Sequence, residues 1–249
     1  AGRVIGIGVA VPGLVRVDDG LVRWAPHLQW RDEPVSQLLA AATGYPVWTA
    51  NDASVGAFAE HIYGAARGID DLIYLNGGAS GIGGGIISDG RPLTGRAGYA
   101  GEFGHVRVEN GAAEKGTRDE GSLETEVNRA DLLQAVGLTN ADAETLDAAL
   151  RESTDPAVSA LVRRQLLSLG TSLRNAVNVL NPEVIVLGGF LASIFLTDPD
   201  FLIERVRSQA LEASFEGVKI LPAQLGADLL MIGAAELAFA ALLDDPTTL

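Results

Sequence analysis

Leu72-Ile73-Tyr74-Leu75-Asn76-Gly77-Gly78-Ala79-Ser80-Gly81-Ile82-Gly83-Gly84-Gly85-Ile86-Ile87-Ser88-Asp89-Gly90-Arg91 holds two apolar runs around six glycines in nine residues. The pattern predicts strand, glycine turn, strand. Glycine admits positive φ and lets backbone N–H groups approach an anion or a polar ligand that side chains would obstruct. Two readings stay open on spacing alone. One is a phosphate or sugar loop presenting Ser80, Gly81, Gly83 and Gly84; the other is a tight turn whose glycines relieve strain. No Lys-Ser/Thr pair follows, so the stretch is not a P-loop. Polar groups bracket it on both sides, Thr49-Ala50-Asn51-Asp52-Ala53-Ser54 upstream and Gly98-Tyr99-Ala100-Gly101-Glu102-Phe103-Gly104-His105 downstream.

The chain of 249 residues, 47% hydrophobic, is long enough for one large domain or two smaller ones, and two lobes are expected. A formal net charge of -14, with no cluster of Lys and Arg, argues against nucleic-acid binding by this chain itself. Without cysteine there is neither a disulfide nor a thiolate metal site, which fits a cytoplasmic location. No apolar stretch is long enough to span a bilayer as a helix, so no membrane partner is expected. Ala1-Gly2-Arg3-Val4-Ile5-Gly6-Ile7 enters a strand at once and resembles neither a signal peptide nor a natural start.

Taken in order, Val4 to Val11 reads as a buried strand ended by Pro12-Gly13. Leu14 to Val17 and Leu21 to Trp24 form a hairpin about Asp18-Asp19-Gly20. Residues 25–32 read as irregular. Val35, Leu38, Leu39 and Ala42 then repeat at helical spacing up to Gly44. Tyr45 to Thr49 is a strand delivering Asn51 and Asp52 to its carboxyl end, and Ala53 to Tyr63 is a helix. Residues 109–120 are hydrophilic and aperiodic, a surface excursion. Helical patterns follow at Leu123 to Val136, Ala141 to Arg151 and Pro156 to Leu180. Val184 to Gly189 is a buried strand, with a helix at Phe201 to Ser214, a strand at Val218 to Pro222 and a closing helix at Leu229 to Leu243. Alternating strands and helices argue for an α/β architecture with ligands at strand carboxyl ends.

Six segments together resemble the ROK family of sugar kinases and sugar-responsive repressors: Val11-Pro12-Gly13-Leu14-Val15, Asn51-Asp52-Ala53, Gly81 to Gly85, Gly101 to His105, Gly121-Ser122-Leu123-Glu124, and Asn181-Pro182-Glu183 through Gly189. Residues 25–32, and Leu225-Gly226-Ala227-Asp228 leading into Gly233-Ala234-Ala235-Glu236-Leu237, look like the repressors of high-GC Gram-positive bacteria, the actinobacterial branch. The resemblance implies an actin-like ATPase/ribonuclease H-like two-lobed α/β fold. The N-terminal lobe would hold residues 1–52, closed by the helix within 229–249, and the C-terminal lobe residues 53–228. Family kinases open with an Asp-x-Gly-Gly-Thr phosphate loop, and family repressors carry a winged helix-turn-helix domain before it. Neither is found here, so the first strands of the N-terminal lobe are expected to be absent and the chain to be a fragment or an effector domain.

The resemblance assigns sugar contacts to Asn51, Asp52, Glu102, His105 and Glu124. In a kinase Asp52 would be the general base taking the proton of the attacking sugar hydroxyl; in a sensor it would accept a hydrogen bond from that hydroxyl. Asn51-Asp52 would also serve as a helix cap, and the two roles are compatible. Glu102 and His105, three apart, face one side of a helical turn. Without the resemblance, His105 reads as a core histidine and Glu124 as a solvated charge. His27 and His61 read as surface or packing residues, and Trp24, Trp30 and Trp48 as core. Gly188-Gly189 fits either a nucleotide or strand–helix packing. Many family members bind zinc through three cysteines and the histidine of Gly-His. The matching positions here are Lys115, Thr117 and Ser122, so no zinc is expected. Ala79-Ser80-Gly81-Ile82-Gly83 also departs from the kinases' Gly-Thr-Gly-Ile-Gly, which weakens a nucleotide grip. The expected function is the sugar-sensing effector domain of a ROK-type transcriptional regulator, with a small sugar in the interlobe cleft, DNA contacted only through a helix-turn-helix domain elsewhere, and a homodimer. The alternative is an ATP-dependent, glucokinase-like sugar kinase, for which alone ATP and Mg²⁺ are expected.

Overall fold

A computed structural model describes residues 4–108 and 120–244. The elements in chain order are β1 (Ile7–Val11), β2 (Leu14–Val15), β3 (Val22–Ala25), β4 (Trp30–Glu33), α1 (Val35–Thr43), β5 (Val47–Asn51), α2 (Asp52–Tyr63), β6 (Leu72–Gly78), β7 (Gly81–Ser88) and β8 (Arg91–Pro92). Then come α3 (Leu123–Glu126), α4 (Arg129–Ala135), α5 (Ala143–Glu152), α6 (Pro156–Leu180), β9 (Val184–Gly189), α7 (Phe190–Thr197), α8 (Pro199–Arg207), α9 (Glu212–Phe215), β10 (Lys219–Pro222) and α10 (Leu229–Asp244). Among the described residues no helix is long and apolar enough to cross a membrane.

The chain divides into two compact units. The first holds residues 1–70, 85–101 and 224–249, and the second residues 71–84 and 102–223. This differs from the expected boundary at Asp52. Helix α2 packs on α10, and α10 on β1, so the segment after Asp52 stays with the first unit.

In the first unit β1 and β5 pair in parallel, from Ile7 opposite Val47 to Val11 opposite Asn51. Two glycines bring α10 against this layer: a Cβ on Gly8 would lie 1.6 Å from the Ala234 carbonyl oxygen, and one on Gly233 would lie 2.4 Å from that of Val55. The Asp18-Asp19-Gly20 hairpin forms, with β2 antiparallel to β3. Residues 25–32, read as irregular, instead build a 3-10 turn at Pro26–Leu28 and the strand β4. Gln29 takes a left-handed conformation that reverses the chain, so that Trp30 pairs with Ala25 and Arg31 with Trp24. Helix α1 ends where expected, at a left-handed Gly44. Trp24 is exposed rather than core.

In the second unit β10, β9 and β6 are successive parallel strands, and β7 lies beside β6. Leu72 to Leu75 and Val184 to Leu187 are fully buried, or nearly so, and Ile73, Leu75, Ile185 and Leu187 share one core with residues of helices α3 to α8. Such continuous apolar runs are what a parallel sheet covered by helices demands. The long helix α6 spans the predicted Pro156 to Leu180, with Asp155 accepting from the Ala157 N–H at one end and a left-handed Asn181 at the other. Two expected helices are interrupted. Asn128 accepts from the Asp131 N–H and starts α4 afresh after α3. The Leu211 N–H donates to Asn178 Oδ1 rather than continuing α8 into α9. The sequence pattern did not predict helix α7, a mainly apolar helix that begins directly after Gly189 with no side-chain cap to mark it.

Glu60 is a buried acid that the sequence reading passed over. Its Oε1 accepts from the N–H groups of Gln224 and Leu225 at 2.9 and 3.0 Å, and its Oε2 from that of Ala65 at 2.7 Å. It thereby ties the end of α2 to the segment that enters α10. Glu60→Gln turns one acceptor into a donor facing backbone N–H groups and is expected to cost about 2 kcal/mol. Urea unfolding should show this as a lower midpoint at unchanged slope.

Candidate functional site

The glycine stretch is tighter than expected. Only Ala79 and Ser80 form the turn, and Gly77, Gly78, Gly83, Gly84 and Gly85 belong to the strands. Of the six glycines only Gly81 has positive φ, at 121°. Two of the others permit close packing instead. A Cβ on Gly77 would meet the Phe190 ring at 2.6 Å, and one on Gly85 would meet Ala57 Cβ at 2.6 Å. Gly188 and Gly189 serve the same purpose: a Cβ on Gly188 would stand 2.5 Å from the Tyr74 hydroxyl, and one on Gly189 2.1 Å from the Gly77 carbonyl oxygen.

In the second unit Glu102, His105 and Glu124 come together. Glu102 precedes the 3-10 turn Phe103–His105, which brings His105 Nε2 to 3.9 Å from Glu102 Oε2. On the other side His105 Nδ1 lies 3.7 Å from Glu124 Oε1, on α3. The imidazole thus stands between two carboxylates, all three partly exposed. Glu124 also meets the glycine turn, where the Ile82 N–H donates to its Oε2 across a long 3.5 Å. A protonated imidazole would pair with both acids, and the two acids can accept hydrogen bonds from adjacent hydroxyls.

Asn51 and Asp52 belong to the first unit, at the end of β5. Asn51 is the N-cap of α2: its Oδ1 accepts from the Ser54 N–H at 3.1 Å, and its Nδ2 donates to the Gly13 carbonyl at 2.9 Å. Capping is therefore its observed role. Asp52 opens the helix, half-buried, with Oδ1 accepting from the Ala53 N–H at 2.8 Å. Burial pushes its carboxyl above the usual range, and the hydrogen bonds from the Ala53 N–H and its own N–H, which pull the other way, are outweighed.

Of the positions matching the zinc-binding cysteines, Lys115 and Thr117 lie outside the described residues, as does nearly all of the excursion at 109–120. Ser122 Oγ stands 3.3 Å from Thr125 Oγ1. An ammonium and two hydroxyls are not zinc donors, so this set does not fit the metal. His61 is a packing residue, with Nδ1 2.9 Å from the Ile69 carbonyl oxygen.

The family model described as ROK matches residues 1–241. The chain belongs to the ROK family. Its relatives carry two kinds of name. The xylose repressor of Caldicellulosiruptor bescii is 28% identical over 98% of this chain and 64% of its own length. The glucokinase of Halalkalibacterium halodurans is 30% identical over 92% of this chain and 74% of its own. Among solved structures, a ROK family transcriptional regulator described as a homolog of the E. coli MLC protein superposes with a TM-score of 0.80 at 27% identity. That match covers 96% of this chain and 63% of the regulator, so the chain spans less than two thirds of both the xylose repressor and this regulator. The fold is accordingly the actin-like α/β fold of ROK kinases and regulators, as expected.

Because burial raises the Asp52 pKa above its unfolded value, the ionised carboxylate opposes folding at neutral pH. The stability it contributes is present below the unfolded-state pKa and lost as pH rises through the folded-state pKa. Asp52→Asn should therefore raise Tm at pH 7, and the gain should vanish below about pH 4, where aspartate is protonated in both states. A pH series of thermal unfolding on both proteins checks the sign.

Proposed function

We propose that this chain is the sugar-binding part of a ROK-type transcriptional regulator. The observation that supports it is the Glu102, His105 and Glu124 cluster, two acceptors and an imidazole at the spacing of neighbouring hydroxyls. In this reading the three side chains bind the hydroxyls of a small sugar or sugar derivative. Asp52 supplies a further acceptor, and Asn51 holds Asp52 in place by capping α2. DNA is contacted by a helix-turn-helix domain outside these residues, since the net charge of -14 disfavours contact with phosphates. The regulator is a cytoplasmic homodimer without a resident cofactor. A sugar acts on it only through a difference in affinity between two conformations.

The second reading, an ATP-dependent sugar kinase, rests on the relatives named glucokinase and on Asp52, whose raised pKa suits a general base. ATP and Mg²⁺ belong to this reading alone. What favours the regulator is the glycine turn's sequence, Ala79-Ser80-Gly81-Ile82-Gly83, which departs from the kinases' Gly-Thr-Gly-Ile-Gly where that reading would hold a phosphate.

Thermal shift of the intact gene product against a panel of pentoses, hexoses and their N-acetyl derivatives, with and without ATP and Mg²⁺, separates the two. The regulator predicts stabilisation by a sugar, unaffected by ATP, and at least tenfold weaker binding in His105→Asn. Sugar-dependent ATP turnover abolished by Asp52→Asn would make the chain a kinase. No shift with any sugar would overturn both readings.

A further inference from the structure

Glu124 reaches the glycine turn because the backbone carries it there. The Leu123 N–H donates to the Val106 carbonyl at 2.9 Å, and the Leu123 side chain is fully buried, so the start of α3 is fastened to the segment that bears His105. The carboxylate then lies against two glycines. A Cβ on Gly81 would stand 2.5 Å from Glu124 Oε2. One on Gly104 would stand 3.2 Å from the same oxygen and 2.2 Å from the Ile82 carbonyl oxygen. Gly81 also holds a φ of 121°, which side-chain-bearing residues avoid. With both side chains missing, Oε2 sits at the Ile82 N–H while Oε1 remains beside His105.

We propose that Gly81 and Gly104 are positioning residues for Glu124, and that the β6–β7 turn serves to seat this carboxylate beside His105. In this proposal the turn seats an acid of the protein's own. Any side chain at 81 would push Oε2 off the Ile82 N–H and, through the shared carboxyl group, carry Oε1 away from the imidazole. Where Glu124 binds sugar, which rests on the function proposed above, Gly81 and Gly104 set the direction in which that acceptor points.

A double-mutant cycle tests this on the full chain, with wild type, Gly81→Ala, Glu124→Ala and the double variant compared by urea unfolding. The φ strain of an alanine at 81 is common to both backgrounds, whereas displacement of the carboxylate exists only when Glu124 is present. Gly81→Ala is therefore expected to lower the midpoint more in wild type than in Glu124→Ala. Equal losses would overturn the proposal. If Gly81→Ala does not fold, Glu124→Gln decides through the Ile82 amide proton in ¹H–¹⁵N spectra. That proton should move upfield when the carboxylate is lost, and an unmoved signal would overturn the assignment. A third measurement uses whichever sugar the panel identifies: Gly81→Ala should weaken its binding at least tenfold, and the double variant should bind no more weakly than Glu124→Ala. Additive losses would overturn the role. If wild type binds no sugar, the proposed function falls, and the urea cycle and the Ile82 signal still decide the seating of Glu124.

Discussion

Helix α2 is held at both ends by side-chain oxygens on backbone N–H groups, and the first unit is arranged around that fact. At its start Asn51 caps the Ser54 N–H and reaches back to the Gly13 carbonyl, joining the helix to the turn after β1. About two and a half turns later Glu60 gathers the N–H groups of Ala65, Gln224 and Leu225, joining the helix to the approach to α10. An unmet N–H in such a place would cost about 1–3 kcal/mol, so a single buried acid fixes two chain segments at once. Between these anchors α10 comes close because Gly8 and Gly233 carry no side chain. The position of Asp52 is consequently set by these anchors of α2, while its own carboxylate accepts from the N–H groups of Ala53 and Asp52 itself.

The second unit depends on glycine in a different sense. Gly77, Gly188 and Gly189 let β6, β9 and the start of α7 lie closer than any side chain would permit, and the Phe190 ring fills the space above Gly77. Packing at this density tolerates no added methylene. The same economy appears at Gly81 and Gly104, where the neighbour is a carboxylate instead of an aromatic ring.

Much of the fold was legible because its long elements are strongly periodic or wholly apolar. Helix α6 and strand β9 are examples, the first bounded by Asp155 and Asn181 and the second by Gly188-Gly189. The misreadings share a cause, since each concerns residues whose state is decided by a partner far away in sequence. Trp30 to Glu33 become a strand because β3 is there to pair with them, and α8 stops because Asn178 takes the Leu211 N–H. Spacing leaves the glycine stretch open between a ligand loop and a tight turn, because it cannot show that Gly77 and Gly85 answer to a neighbour's volume. In the site, the spacing of Glu102 and His105 was readable from a single helical turn, and their approach to Glu124 followed only from the family pattern. Glu60 gave no signal at all, because an acid within a helix looks solvated until the chain that covers it is known.

Relatives named repressor and relatives named glucokinase match this chain almost equally, at 28% and 30% identity. That equality has a physical reading. Holding a polyol requires acceptors and an imidazole at the right separation, and a binder and a kinase need the same set. Transfer of a phosphoryl group adds a separate demand, a place where negative charge is welcomed. Residues that read hydroxyls are therefore poor discriminators, and the acid beside the glycine turn is one of them. That acid is Glu124, its carboxylate drawn onto the Ile82 N–H by two missing side chains. A phosphate arriving at this N–H would meet a like charge at contact distance, while a neutral hydroxyl would meet an acceptor. The local field thus suits a neutral hydroxyl better than a phosphate at this one N–H, and a kinase and a regulator that both use Glu124 for sugar would share it.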